Sequence, residues 1–339
     1  MSPVHPENYD EIVARINRKY GADIKRGNEI EHPPRISTGS LELDAAMGDG
    51  IPVGRWTRFY GGYSSTKTLR ALICAREAQK LGFTVAYYNI EKQYDPVFAA
   101  EKIGVNTEEL TLVEGTTVEE VGEKMEGLFG VVHLHIIDSC SIAVSEDELN
   151  ADIRDWRPGI NARAWGKVFR RLNERFDQGA NTVILIDQVR VNFRTGGEDP
   201  AGGRILDHQS SMSVMFKKGS WLWRNDDGLL DEKANQAKGM SGQVEPAGME
   251  IKIRVEKSRV CRPFRTATLR LDLDAMTFDD AFELVKAAKH YGIATSPSRG
   301  YYQIDRKKFH GEKQLRQHIA RNPELIQKIR DTTLAAAAR

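Results

Sequence analysis

The sequence is poor in cysteine and has no long apolar run. Its three cysteines, Cys74, Cys140 and Cys261, lie far apart and form no C-x-x-C pair. Neither a disulfide scaffold nor a cysteine metal centre is therefore predicted. No stretch approaches the roughly 18 uninterrupted apolar residues of a membrane span, and the polar start MSPVHPENYDE lacks the apolar core of a signal peptide. We expect a cytoplasmic protein with reduced thiols and no membrane partner.

A large net charge is also absent, but the charge is unevenly distributed. The 339 residues carry a formal net charge of +1. From Lys286 to Arg339 there are twelve Lys or Arg residues against four Asp or Glu, whereas the preceding residues hold 37 against 44. This basic excess could attract a polyphosphate such as nucleic acid. A solvated helical face explains the same charges equally well.

No internal repeat is present, and the apolar pattern divides the chain into three parts. Residues 1–35 are predicted to be an N-terminal helix and linker, because residues 9–20 place apolar side chains at helical spacing. Residues 36–276 alternate short apolar runs with helical segments, which predicts a mainly parallel sheet covered by helices. Later runs in this part alternate more strictly and predict antiparallel strands that extend the sheet. Residues 277–339 are predicted to be a small, basic domain of helices and strands.

A glycine- and serine-rich turn joins a predicted strand to a predicted helix. Its residues are Gly61, Gly62, Tyr63, Ser64, Ser65, Thr66, Lys67 and Thr68. In this context backbone N–H groups can wrap the phosphates of a nucleotide, Lys67 can reach the outer phosphates, and the Thr68 hydroxyl can ligate Mg²⁺. Thr66 stands where the phosphate-loop pattern has glycine, so its Cβ is predicted to strain the turn. The predicted cofactors are ATP and Mg²⁺, and an ordinary turn is the alternative.

An acidic residue ends the apolar run VHLHIID. Asp138, at the end of this predicted strand, is suited to hold Mg²⁺ through water. Apolar strands that end in Asp are common. The prediction therefore depends on the upstream turn and on the parallel sheet between the two segments.

A collinear series of segments extends along the chain: the block ISTGSLELDAAMGDGIPVGRWTRFYGGYSSTKT is followed by IEKQYDP, IIDSCSIAV, LIDQVRV, VEKSRVCRPF and NPELIQKIR. This series resembles the bacterial RecA recombinases and their phage relatives. The resemblance covers nearly the whole chain from about residue 9. It implies an α/β fold with a RecA-like P-loop NTPase core, in which a mainly parallel sheet with an antiparallel extension carries helices on both faces. It also implies an N-terminal oligomerisation helix and a small α+β C-terminal domain.

The resemblance implies roles for residues around the nucleotide. Glu91 corresponds to the glutamate that orients the water attacking the γ-phosphate, although a surface acid is the alternative. Gln188 corresponds to the glutamine that senses this phosphate through an amide that both donates and accepts hydrogen bonds. Asp95 and Phe98 correspond to adenine contacts, and Phe98 could instead belong to the core.

Two basic residues correspond to cations that act between subunits. Lys257 and Arg259 match positions that reach across the subunit interface to the neighbour's ATP. Such cations stabilise the charge that builds on the transferred phosphoryl group. The resemblance therefore implies that hydrolysis depends on assembly. The structural alternative is the exposed end of an antiparallel strand.

Two loops resemble the DNA-binding loops of the family. In the first, residues 152–165, arginines that can contact phosphates interleave with tryptophans that can stack on bases. Its candidate DNA contacts are Arg154, Trp156, Arg157, Arg163 and Trp165. The second loop, residues 191–203, is glycine-rich, and the candidate contacts in and beside it are Arg194, Gly202, Gly203 and Arg204. A charged loop with buried tryptophans is the alternative for the first.

The sequence also departs from the family pattern. Bacterial members typically have a Lys-Phe-Tyr run, involved in interface signalling, where this chain has Asp207, His208 and Gln209. Together with Thr66, this indicates a phage-encoded or divergent member, in a bacterial cell or an infected host.

Three functions compete. The first is a recombinase that forms helical filaments on single-stranded DNA, pairs it with homologous double-stranded DNA and hydrolyses ATP when DNA is bound. The second is a DNA-coating filament protein that hydrolyses little ATP because Thr66 distorts the loop. The third is a hexameric helicase built on the same core.

Overall fold

A computed structural model describes residues 9–21, 24, 34–152, 159–173, 181–191, 198–200, 203–234, 239 and 243–338. The chain forms two compact units, residues 1–34 and 35–339. The first contains helix α1 (Tyr9–Tyr20), as the apolar spacing predicted. Acidic residues in its first turn and basic residues in its last turn complement the helix dipole. The Asn17 side chain both donates to and accepts from the backbone of Ile24, at 3.2 and 3.0 Å.

Strands and helices alternate along the second unit. The strands are β1 (Arg35–Ile36), β2 (Ile51–Pro52), β3 (Trp56–Gly61), β4 (Val85–Asn89), β5 (Leu110–Val113), β6 (Leu134–Asp138), β7 (Thr182–Val191), β8 (Glu198–Pro200), β9 (Met212–Arg224), β10 (Leu230–Asp231), β11 (Gly248–Ser258), β12 (Thr266–Asp272), β13 (Thr277–Phe278), β14 (Thr295–Ser298), β15 (Tyr301–Ile304) and β16 (Lys307–His310). The helices are α2 (Leu41–Met47), α3 (Lys67–Lys80), α4 (Pro96–Phe98), α5 (Val118–Leu128), α6 (Glu146–Leu149), α7 (Ile160–Asn173), α8 (Gly203–Gln209), α9 (Asp280–His290), α10 (Glu312–Ala320) and α11 (Pro323–Ala337), and a π-helical turn (Ala99–Ile103) follows α4. Across the described residues, none of the helices combines the length and apolarity that crossing a membrane requires.

The main sheet has the strand order β13-β12-β11-β9-β3-β7-β6-β4-β5. The strands from β9 to β5 pair in parallel, and β11, β12 and β13 add antiparallel strands beyond β9. The central parallel strands are continuous apolar runs because helices cover both of their faces. The predicted parallel sheet with an antiparallel extension is confirmed.

Two apolar clusters fill the two faces of this sheet. Residues of β4 alternate between them, because successive side chains of a strand point to opposite faces. Val85 and Tyr87 belong to the cluster that includes α3, whereas Ala86 and Tyr88 belong to the one that includes α5 and α7. The helix that starts at the glycine-rich turn is therefore fixed against the sheet along its length.

The C-terminal elements have an apolar cluster of their own. It combines residues of α9, α10 and α11 with the sheet β14-β15-β16 and with Leu41 of α2. Glu283 of α9 accepts hydrogen bonds from the Ser40 hydroxyl at 2.7 Å and from the Glu42 N–H at 3.0 Å. This carboxylate links the C-terminal elements to the core, and residues 35–339 form one compact unit. The domain boundaries at residues 36 and 277 stay predictions.

Candidate nucleotide site and DNA-contact residues

The turn after β3 has the geometry of a phosphate-binding loop. β3 ends at Gly61 and α3 begins at Lys67, so the turn lies at the N-terminus of a 14-residue helix. Gly61 has a φ of 154°, and a Cβ added there would lie 2.0 Å from the Phe216 carbonyl oxygen of β9. Glycine is therefore required where the loop leaves the sheet. The Ser65 hydroxyl donates to the Gly62 carbonyl at 2.8 Å and tightens the turn, while Tyr63 is exposed.

Thr66 adopts a backbone conformation that favours glycine. Its φ is 68° and its ψ is 17°, which is left-handed. A β-branched residue in this region costs about 1–2 kcal/mol relative to a relaxed backbone. The Thr66 hydroxyl is also buried without a hydrogen-bond partner among the described residues. The structure thus contains the strain that the missing glycine predicted.

The ammonium of Lys67 is bound by the loop itself. Nζ donates to the Gly61 and Gly62 carbonyls, both at 2.9 Å, and to the Ser65 hydroxyl at 3.2 Å. Burial lowers the pKa of Lys67, and the carboxylates of Asp138, Glu91 and Asp187 oppose this effect. The lysine therefore lies within the concave side of the loop, at the place from which it can reach a phosphate.

Thr68 and Asp138 form a pair that fits hydrated Mg²⁺. The Thr68 hydroxyl donates to Asp138 Oδ2 at 2.8 Å, and the Tyr87 hydroxyl donates to the same oxygen at 2.6 Å. Asp138 Oδ1 is buried without a hydrogen-bond partner among the described residues. Burial raises the pKa of Asp138, and the hydrogen bonds from Tyr87 and Thr68 oppose the rise. A metal-bound water could donate to the free oxygen, so these residues suit a hydrated cation.

Glu91 and Gln188 contact each other directly. Glu91 Oε1 accepts from Gln188 Nε2 at 3.1 Å and from the Ser139 hydroxyl at 2.5 Å. The backbone N–H of Glu91 also donates to the Asp138 carbonyl at 3.2 Å. The end of β4, the end of β6 and the middle of β7 thus bring together two residues that are 97 positions apart in sequence. An acid and an amide in contact can exchange partners when a phosphate arrives.

Asp95 and Phe98 lie at a cleft beside the loop. The cleft has a volume of about 440 Å³ and is also lined by Thr66, Lys67 and Tyr94. Asp95 Oδ1 accepts from the N–H groups of Val97 and Phe98 at 2.9 and 3.0 Å, so this carboxylate caps α4. The Phe98 ring is half-buried and packs against the core. Both residues lie where an adenine could bind, but the contact stays a prediction; Tyr94 was missed by the sequence analysis.

Lys257 and Arg259 contact the end of α8. Lys257 Nζ donates to the Asp207 carbonyl, and Arg259 Nη2 donates to the His208 carbonyl at 3.3 Å. Burial lowers the pKa of Lys257, an effect that Asp207 opposes. Within one chain, both cations are therefore held by main-chain oxygens. Their contact with a neighbour's ATP stays a prediction.

The candidate DNA contacts lie mostly outside the described part of the chain. This holds for Arg154, Trp156, Arg157, Arg194, Gly202 and the side chain of Arg204. Gly203 is the first residue of α8. Arg163 is exposed on α7, where it could contact a phosphate. The DNA contacts of these residues stay predictions.

Trp165 is a buried residue of the core, and its role as a DNA contact stays a prediction. The side chain is 1% exposed. The indole N–H donates to the Cys140 carbonyl at 3.1 Å, and the ring stacks on Phe169 at a centroid distance of 5.4 Å. α7 already begins at Ile160, so residue 165 lies on the helix face that packs against the sheet. The hydrogen bond and the stacking thus hold the indole in the core.

A basic row on the antiparallel strands was missed by the sequence analysis. Lys217 of β9 lies directly opposite Lys252 of β11, and Arg254 follows on the same face. All three side chains are exposed, as is Trp221. Like charges directly opposite each other destabilise a sheet, which favours an anionic partner on this face. The row becomes visible only from the pairing register of β9 and β11, which the sequence does not reveal.

Known proteins match both the chain and its motifs. The family model of the RecA N-terminal domain matches residues 8–275. Protein RecA of Deinococcus radiodurans is 32% identical over 324 residues, which cover 94% of this chain and 83% of that protein. Protein RecA of Fusobacterium nucleatum is 30% identical over 338 residues, covering 97% and 84%, and that of Streptococcus mutans is 32% identical over 332 residues, covering 94% and 82%. Because the family model covers most of the chain and these relatives align along nearly all of it, the chain belongs to the RecA family.

Proposed function

We propose that the protein is an ATP-dependent recombinase that forms filaments on single-stranded DNA, pairs it with homologous double-stranded DNA and promotes strand exchange. The observation that carries the proposal is the Glu91–Gln188 contact beside Lys67, in a chain of the RecA family. It joins a residue suited to orient water with an amide at the beginning of the segment that leads into the second candidate DNA loop.

The residues of the loop bind and position the triphosphate. Lys67 exchanges the Gly61 and Gly62 carbonyls for phosphate oxygens, while Thr68 and Asp138 hold a hydrated cation. When Mg²⁺ is bound, it neutralises charge on the phosphate oxygens. Glu91 orients the attacking water and accepts a hydrogen bond from it, and Gln188 leaves Oε1 of the Glu91 carboxylate when phosphate binds. Gln188 then donates to the γ-phosphate instead.

Coupling to DNA runs through β7. This strand extends from Thr182 to Val191, so Gln188 and the start of the second candidate loop lie on one continuous strand. A change of partner at Gln188 therefore acts on the loop that contacts DNA. Lys257 and Arg259 complete a neighbour's site, so hydrolysis requires assembly.

The basic row of Lys217, Lys252 and Arg254 is a further candidate DNA contact. Its exposed cations lie on one face of the antiparallel strands, and Lys217 directly follows Phe216, which pairs with Gly61 at the start of the phosphate-binding loop. Cations that contact only phosphates bind DNA without regard to sequence, as pairing with any homologous duplex requires.

The second candidate is the weakly hydrolysing DNA-coating protein. The left-handed backbone at Thr66 favours it, because the strain lies directly before Lys67. Under this alternative, filaments form but phosphate release stays slow. Thr66→Gly would then increase the rate.

The test measures phosphate release and filament formation with the full chain, ATP and Mg²⁺, with and without single-stranded DNA. We expect filaments by electron microscopy and hydrolysis that DNA stimulates, both lost in Lys67→Ala. Filaments with negligible hydrolysis would support the coating protein, and closed rings would support the helicase. If neither filaments nor DNA stimulation occur, the recombinase is excluded.

A further inference from the structure

A buried arginine lies in the central strand that leads into the phosphate-binding loop. Arg58 is in the middle of β3, between Leu185 of β7 and Ser213 of β9. Its side chain is 1% exposed, although a charged group inside a sheet loses its hydration. Such a residue requires charged partners close by, and Arg58 contacts two carboxylates from different parts of the chain.

The first carboxylate lies next to the predicted γ-phosphate sensor. Arg58 Nη2 forms an ion pair with Asp187 Oδ2, and the Asp187 side chain is fully buried. Asp187 Oδ1 accepts the backbone N–H of Gln188 at 2.8 Å. Arg58 therefore determines the charge balance and the position of the carboxylate that holds the backbone of Gln188.

The second carboxylate lies on the helix that follows the second candidate DNA loop. Arg58 Nη1 is 3.9 Å from Asp207 Oδ1 on α8. The same oxygen accepts from the Ser213 hydroxyl at 2.8 Å, and the Asp207 carbonyl binds Lys257. Asp207 thus joins α8 to β9 and to the strand that carries the predicted intersubunit cations.

The sequence difference at Asp207 matches this arrangement. The family resemblance places a lysine at this position, and a lysine beside Arg58 would repel it. An aspartate at position 207 instead extends the ion pair of Arg58 and Asp187 outward to α8. Asp207 therefore helps to compensate the charge of Arg58.

We propose that Arg58 is a positioning residue, which joins Asp207 at the end of α8 to Asp187 and thereby transmits the state of the second DNA loop to Gln188 and Glu91. The proposal rests on the recombinase function proposed above. Arg58 contacts neither nucleotide nor water in this role. It sets the position of the β7 segment that carries Gln188.

Asp207→Asn is the primary test, because Asp207 is 47% exposed and its loss leaves the buried pair intact. We expect the DNA-stimulated kcat to fall about tenfold while the KM for ATP changes less than about twofold. Asp207→Glu, which keeps the charge, should restore most of the stimulation. Asp226→Asn, in the exposed turn between β9 and β10, is the matched control and should behave as wild type.

A double variant tests whether the effect of Asp207 on hydrolysis is transmitted through Arg58. If Asp207 acts through Arg58, Asp207→Asn combined with Arg58→Lys will be no slower than the slower single variant, because both break one link. Full DNA stimulation in Asp207→Asn, or multiplicative losses in the double variant, would overturn the proposal. Absence of DNA stimulation in the wild type would instead overturn the recombinase function, and this inference with it.

Discussion

At the scale of single residues, Thr66 is a source of backbone strain in the phosphate-binding loop. Thr66→Gly removes the unpartnered hydroxyl and relieves the strain of the left-handed backbone, because glycine adopts this conformation freely. We expect this variant to increase the free energy of unfolding by about 1 kcal/mol, and to bind ATP more tightly. Chemical denaturation and nucleotide titration measure the two effects.

Asp305→Gly separates backbone strain from the site. Asp305 also has a positive φ, of 47°, but it is exposed in the turn between β15 and β16, outside the phosphate-binding loop. We expect a stability gain without a change in ATP affinity. Equal effects of the two variants on ATP affinity would show that Thr66 has no special influence on phosphate binding.

Glu91 is the residue with which the chemistry is most directly tested. Glu91→Gln keeps an acceptor for Ser139 but removes the charge that polarises water. We expect hydrolysis to fall by about 100-fold or more while ATP binding remains. Phosphate release and equilibrium binding measure the two effects, with the exposed Glu109→Gln as the control. Unchanged hydrolysis would exclude Glu91 as the water-orienting residue.

At the scale of elements, α7 is attached to the sheet by Trp165. We expect Trp165→Ala to lower the free energy of unfolding by about 3–5 kcal/mol, whereas Trp165→Phe loses mainly the hydrogen bond to Cys140 and costs less. DNA affinity of the folded Trp165→Phe protein should equal that of the wild type. A stable Trp165→Phe protein with weak DNA binding would show that the indole contacts DNA after all.

The contact between α9 and the start of α2 is sensitive to pH. Burial raises the pKa of Glu283 from 4.5 to about 7, against the effects of Arg70 and of the hydrogen bonds from Glu42 and Ser40. Between these two pKa values the folded protein holds a proton that the unfolded chain releases. The stability contributed by Glu283 is therefore present below pH 4.5, declines up to about pH 7 and is absent above it.

Glu283→Gln removes this dependence. We expect the unfolding free energy of the variant, relative to wild type, to increase by about 2 kcal/mol from about pH 5 to about pH 8. Denaturant unfolding at several pH values measures it, and the exposed Glu324→Gln serves as the control. Parallel curves for Glu283→Gln and wild type would contradict the raised pKa.

The elements could be predicted where their apolar pattern is uninterrupted. VHLHIID at residues 132–138 contains β6 (Leu134–Asp138), because a fully buried parallel strand is a short apolar run. β9 (Met212–Arg224) was harder to predict over its full length. Exposed Lys217 and Lys218 interrupt its apolar pattern and divide the strand into two short apolar runs. The basic row followed only from the register.

At the scale of the whole molecule, the predicted site is divided between two subunits. Lys67→Ala removes the lysine that contacts phosphate in a subunit's own site. Lys257→Met removes the lysine that a subunit is predicted to contribute to its neighbour's site. We expect each variant to be inactive alone, and an equal mixture to recover roughly a quarter of the wild-type hydrolysis on DNA, because some Lys257→Met sites then adjoin a neighbour with an intact Lys257. Steady-state phosphate release measures it.

The mixture also has an internal control. In the control, Lys257→Met is mixed with a chain that carries both Lys67→Ala and Lys257→Met. No chain in this mixture has Lys257 to give to a neighbour, so the mixture should stay inactive. Recovery with the double variant, or no recovery with the original pair, would contradict the divided site.

The site could be predicted to the extent that it is local in sequence. Residues 61–68 run continuously from the end of β3 into the first turn of α3, so the loop could be recognised from consecutive residues. Glu91 and Gln188 received roles through family resemblance, but their mutual contact depends on the order of β4, β6 and β7. Arg58 could not be predicted as buried, because a charged residue in a strand usually faces solvent, and Asp187 lies 129 positions away.

The close approach of Gly61 to the Phe216 carbonyl fixes the loop to β9 at backbone distance. β9 is in turn paired with β11, where Ser213 lies opposite Lys257. The phosphate-binding loop and Lys257 are therefore joined through the paired strands β3, β9 and β11. In a head-to-tail polymer, a displacement caused by nucleotide at one site would reach only the neighbour that Lys257 contacts. Successive sites along the polymer would then be coupled in one direction.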